Sequence, residues 1–303
     1  MIRVRFLGTA ASRPTVGRNV SGIAVQREGD SILLDCGEGT QRQIMRFGSG
    51  FSFSHIFITH GHADHFLGLP GLLRTMGLQG REEPMTIHGP GATVELLRTA
   101  VRMGIERLAF PVEVRGLRHG DRVGFDGWAM HAYEVDHGVP ALGYALVEEL
   151  RLGRFDVEMA RRLGVPEGPL FGRLHRGEAV EVDGRTITPD EVVGPPRPGR
   201  KVVYTGDTRP ARTTAQMAMG ADLLIHDATF GQEEKKRAWE TRHSTAAEAA
   251  QVAARAKVKR LVLTHLSARY ADSPKVLEEQ ARAIFPASVV ARDGLEIEIG
   301  YRA

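Results

Sequence analysis

The sequence lacks several features or has few of them, and each absence excludes a class of protein or a kind of site. Its single cysteine, Cys36, excludes an internal disulfide and any zinc site built from cysteine ligands, and it favours a reducing, intracellular setting. A transmembrane helix needs about 18 consecutive apolar residues. No stretch of this chain approaches that length, so we expect no membrane partner. Residues 1–8 alternate as a strand does and lack the apolar segment of a signal peptide, which predicts a cytoplasmic protein.

Charge of one sign is also scarce. Lysine and arginine number 40 against 37 acidic residues, which leaves a formal net charge of only +3, and just six of the 40 are lysine. An arginine-rich surface suits a partner that carries phosphate groups, although genome composition explains such an excess equally well. What the chain does have is twelve histidines, and the question is whether they are scattered or gathered.

Short apolar runs broken by glycine-rich turns alternate with a few helical patterns, which predicts an α/β (α+β) architecture. Two long runs are interpreted as single strands, 122–135 and 288–299. Helices are predicted to begin after side-chain caps at Thr40, Thr245 and Ser273.

Residues 150–200 differ from the rest of the chain. They are rich in glycine–proline turns, with one short helix predicted over 156–163 and little that could bury a core of its own. Two interpretations stay open: a long decorated loop, or a protruding arm that grips a partner, since long insertions in compact domains are often functional.

The histidines gather first in a tight turn at 59–65, directly after a predicted strand at 55–58. Small residues inside the turn let the backbone aim neighbouring side chains at a common point. Imidazole and carboxylate groups suit Zn²⁺ and its first-row relatives. One ion cannot easily take every ligand of so short a turn, so we expect two adjacent ions, with His60 and His62 on one and Asp64 and His65 on the other.

Three further candidate ligands, His137, Asp207 and His265, each lie just beyond the end of an apolar strand. Such ends converge on one edge of a sheet, where α/β proteins commonly build their sites. Asp207 is reached through a glycine turn, and its two oxygens can bridge two metals. We therefore predict that all three complete the pair of sites.

Five histidines and two aspartates around two ions indicate an open, hydrolytic centre. Two ions about 3.5–4 Å apart clamp the attacking and leaving oxygens of a phosphoryl displacement and lower the pKa of a bridging water. Asp64 can accept the proton of that water through its second oxygen.

The pattern from His60 to His65, followed by His137, Asp207 and His265, resembles the metallo-β-lactamase superfamily. More specific segments resemble the ribonuclease Z family, the tRNA 3′-processing endoribonucleases. These are 6–9, 35–43, 66–73, 163–172, 206–210, 243–245 and 265–270, so the resemblance runs from residue 2 to about 300.

That resemblance implies a four-layer αββα sandwich, a single domain over 1–303 with a flexible tRNA-binding arm inserted at 150–200. It implies a homodimer with two zinc ions per chain, for which Mn²⁺ or Mg²⁺ could substitute. The implied reaction is removal of the 3′ trailer from precursor tRNA, leaving a 3′-hydroxyl on the tRNA. A broader phosphodiesterase or 3′ exoribonuclease on the same scaffold is the alternative, and a non-catalytic RNA-binding protein that keeps metal for stability is a third.

The resemblance also implies roles for residues outside the metal set. The general acid falls on His243, just before a capped helix start that favours an anion. Asp227, where the family often has glutamate, would orient His243. Substrate contacts fall on the loop residue Arg18 and on Gly168, Pro169, Phe171 and Arg269. For Phe171, packing within the arm is the competing interpretation, and for Arg269 it is a structural ion pair.

Overall fold

The structure, a computed structural model, describes residues 1–104 and 107–301. The strands of this part are β1 (Ile2–Gly8), β2 (Gly22–Arg27), β3 (Asp30–Cys36), β4 (His55–Phe57), β5 (Met85–Pro90), β6 (Val112–Leu117), β7 (Arg122–Phe125), β8 (Trp128–Glu134), β9 (Leu142–Glu148), β10 (Val180–Val182), β11 (Arg185–Ile187), β12 (Lys201–Tyr204), β13 (Leu223–Asp227), β14 (Leu261–Thr264), β15 (Ser288–Val290) and β16 (Glu296–Ile299).

The helices are α1 (Thr40–Phe47), α2 (Ala63–Phe66), α3 (Leu69–Leu78), α4 (Val94–Arg102), α5 (Val157–Arg162), α6 (Pro169–His175), α7 (Pro189–Val192), α8 (Arg212–Met217), α9 (Lys235–Thr241), α10 (Ala246–Arg255) and α11 (Lys275–Arg282). None of these described helices is long and apolar enough to cross a membrane.

Two seven-stranded sheets form the larger of two compact units, which comprises 1–125, 130–146 and 200–303. The first sheet has the order β16-β1-β2-β3-β4-β5-β6, and the second has the order β15-β14-β13-β12-β9-β8-β7. In the first, β3 to β6 run parallel, and in the second, β12 to β15 do so. The mixed α/β class expected from the sequence is confirmed.

The two sheets face each other, and helices cover their outer faces. Helices α1, α3 and α4 bury Ile44, Leu72 and Leu97 in the core against the first sheet, while α10 packs on β13 and β14 of the second. Between the sheets, the Tyr144 hydroxyl on β9 donates to the Ile58 carbonyl at 2.8 Å. The expected αββα layering is therefore confirmed.

Both long runs predicted as single strands are wrong, and a glycine explains each error. The run 122–135 is the pair β7 and β8, because Gly127 turns the chain with a φ of 71°. The run 288–299 is split by Gly294 at a φ of 82°, so that β15 joins the second sheet and β16 the first. A positive φ is a conformation that glycine adopts readily and other residues avoid.

The predicted helix caps fare unevenly. Thr245 caps α10 as expected, because its hydroxyl accepts from the Glu248 N–H at 3.2 Å and the Glu248 carboxylate accepts from the Thr245 N–H at 3.0 Å. Thr40 is not a cap: it is the first residue of α1, and its hydroxyl donates to the Gly37 carbonyl at 2.7 Å. The cap predicted at Ser273 is one residue too early, because Pro274 takes the capping position of α11.

The second compact unit comprises 126–129 and 147–199, which holds most of the predicted arm. The short helix predicted over 156–163 is α5, with Asp156 at its N-cap, but α6, α7 and the hairpin β10–β11 were not foreseen. The expectation that this segment buries no core is wrong. Short elements far apart in sequence each contribute one or two apolar side chains to a shared cluster of buried residues, namely Ala160, Val165, Leu174, Val180, Ile187 and Val192.

We predict that Leu174→Ala loosens this unit by about 2–4 kcal/mol, because it leaves a cavity at a fully buried position. Hydrogen exchange of the amides in 147–199 should accelerate strongly, while the amides of the two large sheets stay protected. Glu181→Ala, an exposed substitution on β10, is the matched control. Equal acceleration in both units would show that the smaller core has no stability of its own.

Candidate metal centre

The structure brings all seven predicted ligands together at the ends of strands. Two groups contain only these ligands, and within each group the donor atoms lie within 4.8 Å of one another: His60, His62, His137 and Asp207 form one, and Asp64, His65 and His265 form the other. A third group of the same kind joins Asp207 and His265 to Asp227 and His243. The turn after β4 and the residues following β8, β12 and β14 thus supply a single centre.

Asp207 lies between the two groups. Its Oδ2 is 3.6 Å from His60 Nε2 and 3.9 Å from His137 Nε2. Its Oδ1 is 3.3 Å from both His65 Nε2 and His265 Nε2. One carboxylate oxygen therefore faces each group, which is the arrangement a bridging ligand needs.

The turn that presents Asp207 requires glycine. Gly206 has a φ of 59°, and a Cβ built on it would lie 2.7 Å from Thr59 Cγ2. Any larger residue would push this turn away from the turn at 59–65. The two segments that supply most of the ligands can therefore approach each other this closely because residue 206 has no side chain.

The second group is aimed by an unusual backbone conformation. His265 adopts a φ of 59°, which is uncommon for a residue other than glycine and typical of functional sites. Its Nε2 lies 3.3 Å from Asp64 Oδ2. The same Asp64 oxygen accepts a hydrogen bond from the Ser12 N–H at 2.8 Å, so the loop after β1 also contacts the centre.

Asp35, for which the sequence analysis had no role, orients His65. It is fully buried at the end of β3, and its Oδ2 lies 2.8 Å from His65 Nδ1. Its carboxylate also accepts from the Thr59 N–H at 2.7 Å and from the Tyr204 hydroxyl at 2.7 Å. An acidic residue directly after the apolar run 32–34 was the signal that could have found it.

Other ring nitrogens that point away from the centre are also partnered. His60 Nδ1 lies 3.0 Å from Thr59 Oγ1, and His137 Nδ1 lies 3.1 Å from the Arg242 carbonyl oxygen. His265 Nδ1 lies 3.0 Å from Thr229 Oγ1. Such outer contacts fix the orientation of metal-binding imidazoles and direct each Nε2 inward.

The chemistry of the donor set fits divalent cations. Asp207 Oδ1 is buried and, over the part of the chain that the structure describes, has no hydrogen-bond donor. Burial lowers the pKa of His60 and of His137, which keeps both imidazoles neutral, as metal ligands must be. Burial also disfavours a charged His65, yet Asp207, Asp35 and Asp64 together raise its pKa. Three carboxylates therefore surround the His65 ring, and a cation bound there would be stabilised by them.

His243 and Asp227 form a pair beside the centre. His243 Nδ1 lies 2.7 Å from Asp227 Oδ2, so the aspartate reaches the ring although it is one methylene shorter than glutamate. The fully buried carboxylate also accepts from the N–H groups of Thr208 at 3.0 Å and Thr229 at 2.8 Å. Burial opposes a charged imidazole, but Asp227 outweighs it and raises the pKa of His243 to about 9.

His243 borders a cavity of about 450 Å³. Three arginines, Arg13, Arg237 and Arg269, line it together with Phe230. Arg269, predicted to bind substrate, forms an ion pair with Glu234. The cavity therefore offers a positively charged space next to the imidazole.

The other predicted substrate residues lie elsewhere. The Arg18 guanidinium donates to Thr9 Oγ1 at 2.7 Å and to the Ala291 carbonyl at 2.6 Å, so it is turned into the protein. In the arm, Gly168 and Pro169 are exposed at the start of α6. Phe171 is half-buried and packs on Phe155 with ring centroids 4.9 Å apart, as the packing interpretation expected.

Comparison with known proteins supports the resemblance seen in the sequence. The profile of the metallo-β-lactamase superfamily matches residues 15–265. Ribonuclease Z of Myxococcus xanthus is 53% identical over 304 residues, covering 100% of this chain and 99% of that protein. Ribonuclease Z of Gemmatimonas aurantiaca is 55% identical over 300 residues, covering 98% of this chain and 95% of that protein.

A solved structure agrees with these relatives. The crystal structure of human tRNase Z, short form, superposes with a TM-score of 0.72 at 27% identity, covering 99% of this chain and 100% of that chain.

We predict that Asp35→Asn lowers metal affinity about 10- to 100-fold, because an amide cannot hold the His65 ring as a carboxylate does. Competition with a chromogenic chelator measures this affinity. Asp136→Asn is the matched control, since it removes a partly exposed carboxylate next to His137 in sequence. Unchanged affinity in Asp35→Asn would contradict the orienting contact.

Proposed function

This chain belongs to the metallo-β-lactamase superfamily and to its ribonuclease Z family, and from that membership we propose how its centre works. It is an endoribonuclease of tRNA 3′ processing. The observation that carries the mechanism is the position of Asp207 between two ligand groups, with the His243–Asp227 pair beside them.

We propose two divalent cations per chain, with zinc as the resident metal and Mn²⁺ or Mg²⁺ able to replace it. His60, His62 and His137 would hold one, Asp64, His65 and His265 the other, and Asp207 both. Bound there, the cations would supply Lewis-acid charge and make a water molecule acidic enough to attack near neutral pH.

We assign the two proton transfers of the reaction to two side chains, Asp64 and His243. Asp64 accepts a proton from the attacking water, whose oxygen forms the new bond to phosphorus. The bond between phosphorus and the 3′ oxygen of the tRNA breaks, and His243 gives its proton to that oxygen. The tRNA keeps a 3′-hydroxyl and the trailer keeps the phosphate. Asp227 acts through His243 as a positioning residue, since it holds Nδ1 and leaves Nε2 for the substrate.

The arm at 150–200 is proposed to bind the tRNA. Its nine basic and eight acidic residues nearly balance, so shape and a few arginines would contribute more than bulk charge. The exposed turn at Gly168 and Pro169 offers such a shape. A homodimer and a cytoplasmic location are likewise proposals that follow from the family.

Metal-loaded protein should cut a precursor tRNA that carries a 3′ trailer and leave a product with a 3′-hydroxyl, read at single-nucleotide resolution. His243→Ala should lower kcat about 10²- to 10⁴-fold, the usual contribution of a general acid. Deletion of 152–197 should abolish tRNA cleavage and spare a small chromogenic phosphodiester.

No cut in the precursor by metal-replete protein would overturn the proposal. The broader phosphodiesterase or exoribonuclease would be favoured if the protein trimmed general RNA 3′ ends. The deletion of 152–197 would then change cleavage of precursor tRNA and of the chromogenic phosphodiester to the same extent.

Asp227→Asn should lower kcat about 10²-fold and leave KM for precursor tRNA unchanged, because a misplaced imidazole weakens only the proton transfer. Asp227→Glu should restore most of kcat, since a longer carboxylate can hold the same nitrogen. Steady-state kinetics separate the two constants. Equal loss in both variants, or a rise in KM alone, would contradict the positioning role.

A further inference from the structure

One of the two tryptophans of this chain lies at the surface on α9, the helix that precedes His243. Trp239 on α9 is 65% exposed, whereas Trp128 is only 1% exposed. Tryptophan is on average among the well-buried residues, so a side chain this exposed calls for a reason.

The indole is backed by an arginine. The guanidinium carbon of Arg209 lies 3.8 Å from the centroid of the Trp239 ring, which is a cation–π contact. Arg209 forms no ion pair with any described residue, and its Nε is buried without a hydrogen-bond partner. Arg242 and Arg269, by contrast, are paired with Asp136 and Glu234. The charge of Arg209 is therefore available to a phosphate.

Both residues are tied to the centre through the backbone. Arg209 follows Asp207 by two positions, and its N–H donates to the Asp136 carbonyl at 2.9 Å. The residue before Trp239 anchors the general acid, because the His243 N–H donates to the Ala238 carbonyl at 2.8 Å. Neither Trp239 nor Arg209 lines the cavity that His243 borders.

We propose that Trp239 and Arg209 form a stacking platform for an unpaired base of the trailer, adjoining the scissile phosphate. The proposal rests on the proposed function. Because His243 protonates the oxygen that stays with the tRNA, the cavity beside His243 takes the last nucleotide of the tRNA. The trailer then leaves on another side, where the indole offers a flat surface and Arg209 a cation for the backbone, the usual pairing in single-strand binding.

Kinetics with a trailer-bearing precursor tRNA test the platform. Trp239→Ala should raise KM about 10-fold, within the range for one lost base stack, and change kcat by no more than about twofold. Trp239→Phe should keep most of the affinity. Leu78→Ala removes a large apolar side chain that is 78% exposed on α3 and should leave KM unchanged.

The substrate supplies a second comparison. When abasic nucleotides replace the trailer, wild type and Trp239→Ala should have the same KM, because no base remains to stack. Hydrolysis of a small chromogenic phosphodiester should be the same in both proteins. A KM for Trp239→Ala equal to wild type on the natural trailer, or a difference that persists on the abasic trailer, would overturn the platform.

Fluorescence gives a readout that needs no turnover. A free trailer oligoribonucleotide should quench the emission of wild type and leave that of Trp239→Phe unchanged, since Trp128 is buried. Quenching equal in the two proteins, or absent from wild type, would overturn the platform. Failure to cut precursor tRNA would instead overturn the proposed function, while the quenching would still decide whether the chain stacks single-stranded RNA at Trp239.

Discussion

The Asp207 carboxylate lies where segments that follow strands of both sheets meet. Asp207 is 2% exposed, and a charge so deeply buried costs several kcal/mol unless other groups compensate it. Imidazoles from the turn after β4, from the residues after β8 and from the end of β14 face its two oxygens. Gly206 lets this carboxylate approach the turn at 59–65, so both sheets are held in a fixed relation at this point.

The position of the His243–Asp227 pair follows from the same arrangement. Strands β12, β13 and β14 are neighbours and parallel, so Asp207, Asp227 and His265 come out at the same edge of one sheet. Thr229 connects them, because its hydroxyl donates to Asp227 and lies 3.0 Å from His265 Nδ1. Two of the metal ligands and the carboxylate that holds His243 thus come from three neighbouring parallel strands, and a shift in one strand would disturb both the centre and the imidazole beside it.

The segment with the least obvious pattern proved to have its own small core. Sequence periodicity did not reveal it, because each of its short elements buries only one or two side chains, such as Leu174 on α6 and Ile187 on β11. The strand errors have a similar origin. The run 288–299 has apolar residues on both sides of Gly294, and the positive φ of this glycine separates two strands that enter different sheets. Local sequence patterns identify apolar segments, but they do not show which strand or helix each segment packs against.

The mixed α/β class and the seven candidate ligands could be predicted from the amino-acid sequence, because the histidine-rich turn at 59–65 and the ligands placed after apolar strands are local features. The sequence also carried the resemblance to the ribonuclease Z family, which the relatives confirm. Four contacts could not be predicted in this way: Asp207 between two ligand groups, Asp35 on His65, Arg18 turned inward, and Arg209 against an exposed Trp239. Most of these contacts join residues far apart in the chain, so they depend on strand order and packing rather than on any spacing in the sequence.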